Sequence, residues 1–346
     1  MSIPETYKAF RRSAGDLPLT VDAVTEKLPA SLKPQEVLIR IRAVSLNYRD
    51  VAMLNGNYPV PFNAQGIVAS DCAAEVVKIG SEVQGFSIGD RVAPIFSLNY
   101  LTAQDERMSA LGGDVDGVLR EYAVFDDKVL VHLPKYLSWE EAACITCAGT
   151  TAWTALAMPR TNGTALLQGT GGVSMFALLI CLAAGLKPII TSSSEEKLAF
   201  ARSLGEPGAV ETINYRDHPE WEKEALRLTD GRGVDVVIEN VGPSTMAQSI
   251  ASIARQGTVS LVGFLGGFNV DKFPDMITPI LTKTAVVRGI SVGTKIDQQD
   301  LCNFLEEKKI SLQPLVDKKV FAFDDAPAAF DYLYAGKHVG KVVIRL

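Results

Sequence analysis

The stretch Leu166-Leu167-Gln168-Gly169-Thr170-Gly171-Gly172-Val173-Ser174 reads as a short apolar strand, a glycine turn and the start of an apolar helix that runs to Gly185. Glycine permits the tight turn and lets the backbone approach a pyrophosphate, whose charge the N–H groups of a helix start stabilise. Gly169, Thr170, Gly171, Gly172 and Val173 are therefore candidate dinucleotide contacts. The pattern departs from G-x-G-x-x-G at one place, where Ser174 stands for the third glycine. An ordinary strand-to-helix turn is the plain alternative. A second strand at the required interval argues against it.

The end of that second strand selects the nicotinamide. A carboxylate there accepts a hydrogen bond from a ribose 2'-hydroxyl and repels a 2'-phosphate. Here the place reads Thr191-Ser192-Ser193-Ser194-Glu195-Glu196-Lys197. Ser193 and Lys197 suit a phosphate, so the expected cofactor is NADPH. Glu195 and Glu196 fall in a first helical turn, where acidic side chains face solvent beside the positive end of the helix dipole. A serine-rich helix cap with no ligand role is the alternative.

A parallel sheet must carry these residues. From 136 to 310 the chain alternates short apolar runs with helical stretches, the pattern of βαβ units. Strands are expected at 165–167, 188–191, 209–213, 234–238, 258–262 and 285–290, enough for a full doubly wound dinucleotide fold. Ser138, with Glu141 three residues on, predicts a capping box at the opening of a helix. Residues 1–135 instead show β-branched alternation, as in Glu36-Val37-Leu38-Ile39-Arg40-Ile41, with Gly and Pro punctuation. That predicts a mostly antiparallel β domain. Two late β-like pieces, 319–321 and 341–344, are too few for a domain and are expected to return to the first one. The organisation expected is α/β, with 136–310 as the dinucleotide domain and 1–135 with 311–346 as the β-rich domain.

Composition narrows the partners. The chain has 346 residues, 47% of them hydrophobic, more than one hydrophobic core usually spans. With 34 Lys and Arg against 40 Asp and Glu, no global positive field exists to attract a nucleic acid. Five scattered cysteines argue against a disulfide framework and fit a reducing compartment. The N-terminus lacks an apolar signal segment, and no apolar stretch is long enough to span a bilayer. A cytoplasmic protein with no membrane partner is expected.

Several motifs in order resemble the medium-chain dehydrogenase/reductase superfamily over nearly the whole chain. They are Ser45-Leu46-Asn47-Tyr48-Arg49-Asp50, Ile79-Gly80-Ser81-Glu82-Val83 with Phe86 and Gly89-Asp90-Arg91-Val92, Gly117-Val118-Leu119-Arg120-Glu121-Tyr122, Cys147-Ala148-Gly149-Thr150-Thr151-Ala152-Trp153, the glycine turn, and Gly340-Lys341-Val342-Val343-Ile344. Within it the resemblance is to zinc-free quinone oxidoreductases and enoyl reductases. It implies a Rossmann doubly wound parallel sheet plus a β-rich GroES-like catalytic domain. The zinc branch binds metal through Cys and His, but the place of its Gly-His-Glu motif reads Asp71-Cys72-Ala73-Ala74-Glu75, and no cysteine lies between Val92 and Gly112. Cys144-Ile145-Thr146-Cys147 is a lone CxxC in a helical stretch, expected to pack rather than to ligate. No metal is expected.

Without a metal, hydride transfer is easiest to an acceptor that is already electrophilic. The expected reaction is NADPH-dependent reduction of an activated double bond (an enone or enoyl thioester) or a quinone in a small molecule. A zinc-independent alcohol dehydrogenase or carbonyl reductase, and a non-enzymatic NADPH-binding protein, are the rivals. The resemblance places Asn47 and Tyr48 in a substrate-facing loop. Tyr48 is the candidate proton donor, since a free tyrosine pKa of about 10 keeps its hydroxyl protonated at neutral pH. A lining aromatic, with water as the donor, is the alternative. Asn47 either assists there or bonds the nicotinamide ribose, and Arg49 and Asp50 are expected to form a structural ion pair. For the cofactor the resemblance adds Tyr215 at the 2'-phosphate, Asn240 at the end of the fourth strand, and backbone contacts from Phe264 and Val292. It adds Thr151 at a phosphate, unless that hydroxyl bonds its own backbone, and Lys341 reaching from the returning strand. It also implies a homodimer paired through the sixth strand.

Overall fold

A computed structural model describes residues 3–105, 109–267 and 275–346. The chain divides into two compact units, Met1–Thr150 with Gly293–Leu346, and Thr151–Val292.

The second unit is built on a six-stranded parallel sheet in the order Glu211–Asn214, Lys187–Ser192, Thr164–Gln168, Val234–Glu239, Ile253–Leu261, Val286–Gly289. This is the doubly wound arrangement, with the order reversing at Thr164–Gln168. Leu166, Leu167, Ile189, Ile190, Val236, Val237 and Ile238 are fully buried. Such unbroken apolar runs are what a parallel sheet covered on both faces requires. The helix Gly172–Ala184 is apolar almost all round and stops at Gly185, whose φ of +80° is the left-handed cap that glycine adopts without strain. The expected strands are all present, with the fifth beginning earlier, at Ile253.

The first unit carries an antiparallel hairpin, Thr6–Arg12 with Val21–Lys27, and a larger sheet. Its order is Val316–Ala322, Lys341–Arg345, Glu36–Ser45, Asp71–Ile79, Arg91–Pro94, Leu130–His132, with Tyr122–Asp126 also paired to Glu36–Ser45. The late strands do return: Lys341–Arg345 runs antiparallel to Glu36–Ser45, with Val343 opposite Ser45.

The division between units falls at 150/151 and 292/293 rather than at 135/136 and 310/311. The capping box explains part of this. Ser138 Oγ accepts from the Glu141 N–H at 3.2 Å and Glu141 Oε2 accepts from the Ser138 N–H at 2.9 Å, while Glu141 Oε1 accepts from the Leu312 N–H at 2.9 Å. Tyr136 Oη donates to the Ile310 carbonyl at 2.7 Å, and Thr146 Oγ1 donates to that of Pro94 at 3.2 Å. Segments 136–150 and 293–310 thus bond to each other and to the β-rich unit. Among the described residues no helix is long and apolar enough to cross a membrane.

Candidate active site and dinucleotide site

In the β-rich unit, strand Glu36–Ser45 leads to Asn47, the N-cap of helix Tyr48–Leu54. Asn47 N–H donates to Asp50 Oδ2 at 2.8 Å, and Asp50 N–H donates back to the Asn47 carbonyl at 2.9 Å. Pairing on both sides of this strand brings two distant residues to the same end: Asp71 lies opposite Ser45, and Lys341 opens the returning strand. A closed ring results. Lys341 Nζ donates to Asn47 Oδ1, Asn47 Nδ2 to Ser70 Oγ at 3.4 Å, and Ser70 Oγ to Asp71 Oδ1 at 2.7 Å. Asp71 Oδ2 lies 3.5 Å from the Lys341 ammonium and accepts the Cys147 N–H at 3.1 Å. Lys341 is 3% exposed and Asp71 wholly buried. Charges taken from water this completely need hydrogen-bonding partners, and the ring gives Lys341 an acceptor and each Asp71 oxygen a donor.

Beside it, Arg49 and Asp50 form the expected pair at 3.9 Å, both side chains buried. Arg49 donates to the Leu111 carbonyl at 2.8 Å and its guanidinium lies over the Phe96 ring at 4.9 Å. Burial pushes the Asp50 carboxyl above its ordinary range, against the pull of Arg49 and of the Asn47 N–H. Tyr48, 45% exposed, is presented at the surface at the start of the same helix. Burial pushes the thiols of Cys144 and Cys147 up to about 12, so both stay protonated at neutral pH. Among the described residues no group of three or more His, Cys, Asp and Glu is arranged to hold a metal.

In the other unit, the glycine turn is open where a ligand must approach. A Cβ built at Gly169 (φ +77°) or at Gly171 meets nothing within 4 Å. Gly171, the N-cap, makes no side-chain cap to the helix, and N–H groups at a helix start suit an anion. Ser174 accounts for its own departure from the motif. Its hydroxyl donates to the Gln168 carbonyl at 2.7 Å and accepts from Asn240 Nδ2 at 3.0 Å, tying the helix to the strand ends. Asn240 is thereby engaged within the protein, since Nδ2 also donates to the Gln168 carbonyl at 3.0 Å.

Ser193 and Lys197 lie at the end of Lys187–Ser192 and in the first turn of helix Glu195–Arg202, and Tyr215 comes alongside because its N–H donates to the Ser192 carbonyl at 3.1 Å. Ser194, not Ser193, caps the helix, accepting from the Lys197 N–H at 3.4 Å. Glu195 pairs with Arg202 and is exposed, as is Glu196. Phe264 sits in a loop stitched to the fourth strand, where the Val262 N–H donates to the Glu239 carbonyl at 2.8 Å. Val292 adopts φ +55°, a conformation costly for a β-branched residue, with its carbonyl accepting from Thr154 Oγ1 at 2.5 Å. Thr151 is buried, and its carbonyl accepts from the same hydroxyl at 3.1 Å.

Two features escape a sequence reading. Lys341 Nζ is turned inward onto Asn47 and Asp71 of its own unit. Glu239 is wholly buried beneath the glycine turn and accepts from Gln168 Nε2 at 2.8 Å. The signal for the second was available: in a strand covered on both faces, an acidic residue has nowhere to go but inside.

Residues 33–135 match a family described as the alcohol dehydrogenase GroES-like domain, and residues 172–307 one described as zinc-binding dehydrogenase. The chain is 42% identical over 329 residues to a zinc-type alcohol dehydrogenase-like protein of Schizosaccharomyces pombe, covering 92% of this chain and 93% of that one. It is 36% identical over 243 residues to a quinone oxidoreductase of Pseudomonas aeruginosa, covering 69% and 68%. The solved structure of a putative alcohol dehydrogenase from Sinorhizobium meliloti matches it with a TM-score of 0.88 and 33% identity, covering 100% of both chains.

Proposed function

The chain belongs to the medium-chain dehydrogenase/reductase superfamily and is an oxidoreductase, and from that premise we propose that it reduces a small electrophile, an activated alkene or a quinone, with NADPH and without a metal. The observation that carries this reading is the buried Lys341 ammonium, closed into a ring with Asn47 and Asp71. A divalent ion placed there would meet a fixed positive charge, one carboxylate, an amide and thiols held protonated. The zinc in the fission-yeast relative's name describes that protein. The likeness to a quinone oxidoreductase supports an electrophilic acceptor.

The second unit fits a dinucleotide: the open glycine positions and uncapped helix start suit a pyrophosphate, and Ser193, Lys197 and Tyr215 suit a 2'-phosphate. When bound, NADPH supplies the hydride. The chain's own residues do the rest. The N–H groups from Gly171 onward neutralise phosphate charge. The ring of Lys341, Asn47, Ser70 and Asp71 fixes the start of helix Tyr48–Leu54. Tyr48 holds a proton at Oη and offers it to the acceptor as that gains negative charge. Replacing Tyr48 with phenylalanine is expected to lower kcat by about 100-fold or more while leaving the NADPH Kd unchanged. Unchanged turnover would leave the proton to water. A metal-independent carbonyl reductase is the second reading, favoured by the alcohol dehydrogenase names of the relatives.

The same reading includes a homodimer. Strand Val286–Gly289 is the last of its sheet, and Val286 and Val287 are 49% and 38% exposed, as are Ile277 and Leu281, at 71% and 70%, in the helix Ile277–Lys283 that precedes it in the chain. Pairing two copies edge to edge would cover an apolar edge that otherwise invites association. Sedimentation should show a dimer for the wild-type chain and a monomer for Val287→Lys; a monomeric wild type refutes the pairing.

A further inference from the structure

Glu239 is wholly buried, and among the described residues it is held by hydrogen-bond donors rather than by a lysine or arginine. Oε1 accepts from the N–H groups of Val241 and Gly242 at 2.8 and 2.9 Å and from Thr245 Oγ1 at 2.8 Å. Oε2 accepts from Gln168 Nε2 at 2.8 Å and from Ser249 Oγ. Both carboxylate oxygens are thus met by hydrogen-bond donors, two of them backbone N–H groups. The amide of Gln168 is equally determined. Its Oε1 accepts the Asn240 N–H at 2.9 Å, which forces Nε2 toward Glu239 and toward Ser249 Oγ at 3.0 Å. Gln168 is also the last residue before the turn, and its carbonyl accepts from Ser174 and Asn240.

We propose that Glu239 and Gln168 are positioning residues for the dinucleotide, a complementary acceptor–donor pair that fixes where strand Thr164–Gln168 ends and at what angle Gly169 begins. The inference rests on reading the glycine turn as the dinucleotide site. Its logic predicts an exchange. In Glu239→Gln, whichever way the new amide is turned, its NH2 faces either Gln168 Nε2 or the donors from Val241, Gly242 and Thr245. In Gln168→Glu, two carboxylates face each other. In the double variant Gln168→Glu/Glu239→Gln, carboxylate and amide exchange places. The carboxylate now at position 168 accepts from the Asn240 N–H, from Ser249 and from the NH2 of the amide now at position 239, whose oxygen keeps the donors from Val241, Gly242 and Thr245.

The test is NADPH binding by fluorescence titration together with steady-state kinetics. Each single variant should weaken the NADPH Kd and raise its KM by at least about tenfold, with kcat at saturating NADPH within about threefold of wild type. The double variant should recover to within about threefold, a coupling far from additive. If the single variants do not fold, the exchange still decides, since the double variant should fold and bind. Additive losses in the double variant, or single variants that lose thermal stability but bind NADPH normally, would overturn the positioning role. A wild-type chain that binds no NADPH would overturn the dinucleotide reading itself, whereas wild-type binding without recovery on exchange overturns only the pair.

Discussion

Lys341→Met is expected to destabilise the β-rich unit by about 3–5 kcal/mol, the cost of removing one partner of a buried charge pair. The methionine fills the volume of the lysine stem but leaves the Asp71 carboxylate, wholly buried, without its cation. The double variant Lys341→Met/Asp71→Asn should regain most of that stability. Asparagine can accept the Cys147 N–H that Asp71 Oδ2 now holds and donate to Ser70 Oγ, and a neutral buried pair carries no desolvation penalty for charge. Activity should not follow. In both variants Asn47 Oδ1 has lost its donor, so the start of helix Tyr48–Leu54 is no longer fixed. A fall in kcat/KM of roughly 10- to 100-fold is expected in both, from misplacement rather than unfolding. Thermal unfolding and kinetics on the two variants check this. Recovery of activity along with stability would show that the ring serves only the fold.

Ser193→Asp carries the second large effect. Ser193 follows strand Lys187–Ser192, beside Tyr215 and one turn before Lys197. A carboxylate there repels a 2'-phosphate and accepts from a free 2'-hydroxyl. The ratio of kcat/KM for NADPH to that for NADH should fall by about 100-fold, equivalent to roughly 2.7 kcal/mol, mostly through the NADPH KM. An unchanged ratio would place the 2'-phosphate elsewhere and remove Lys197 and Tyr215 with it.

What the sequence disclosed, and what it hid, follows from chain separation. The glycine turn, the six strands and the Ser138–Glu141 capping box are patterns within a few residues, and local sterics and hydrogen bonding determine them. The pairing of Arg49 with Asp50 is local too. Lys341 and Asn47 are 294 residues apart, and only the antiparallel register of Lys341–Arg345 on Glu36–Ser45 brings them together. The lysine was visible in the last strand, but its direction was not. Asn240 shows the same limit: its place at the end of the fourth strand was legible, while the spending of its amide on Gln168 and Ser174 depends on how helix and strand meet. The domain boundaries shifted for a related reason. Helix periodicity alone cannot reveal that Glu141, with one oxygen on its own cap, gives the other to Leu312.

The most direct test of metal-independent reduction by NADPH is its oxidation followed with an enone, a quinone and a simple ketone, each with and without chelator, on protein whose metal content has been measured. Turnover of the enone or the quinone, unchanged by chelator, is expected in protein holding well under one metal ion per chain. Turnover of the ketone alone, abolished by chelator and restored by zinc, would instead make the protein a metal-dependent alcohol dehydrogenase.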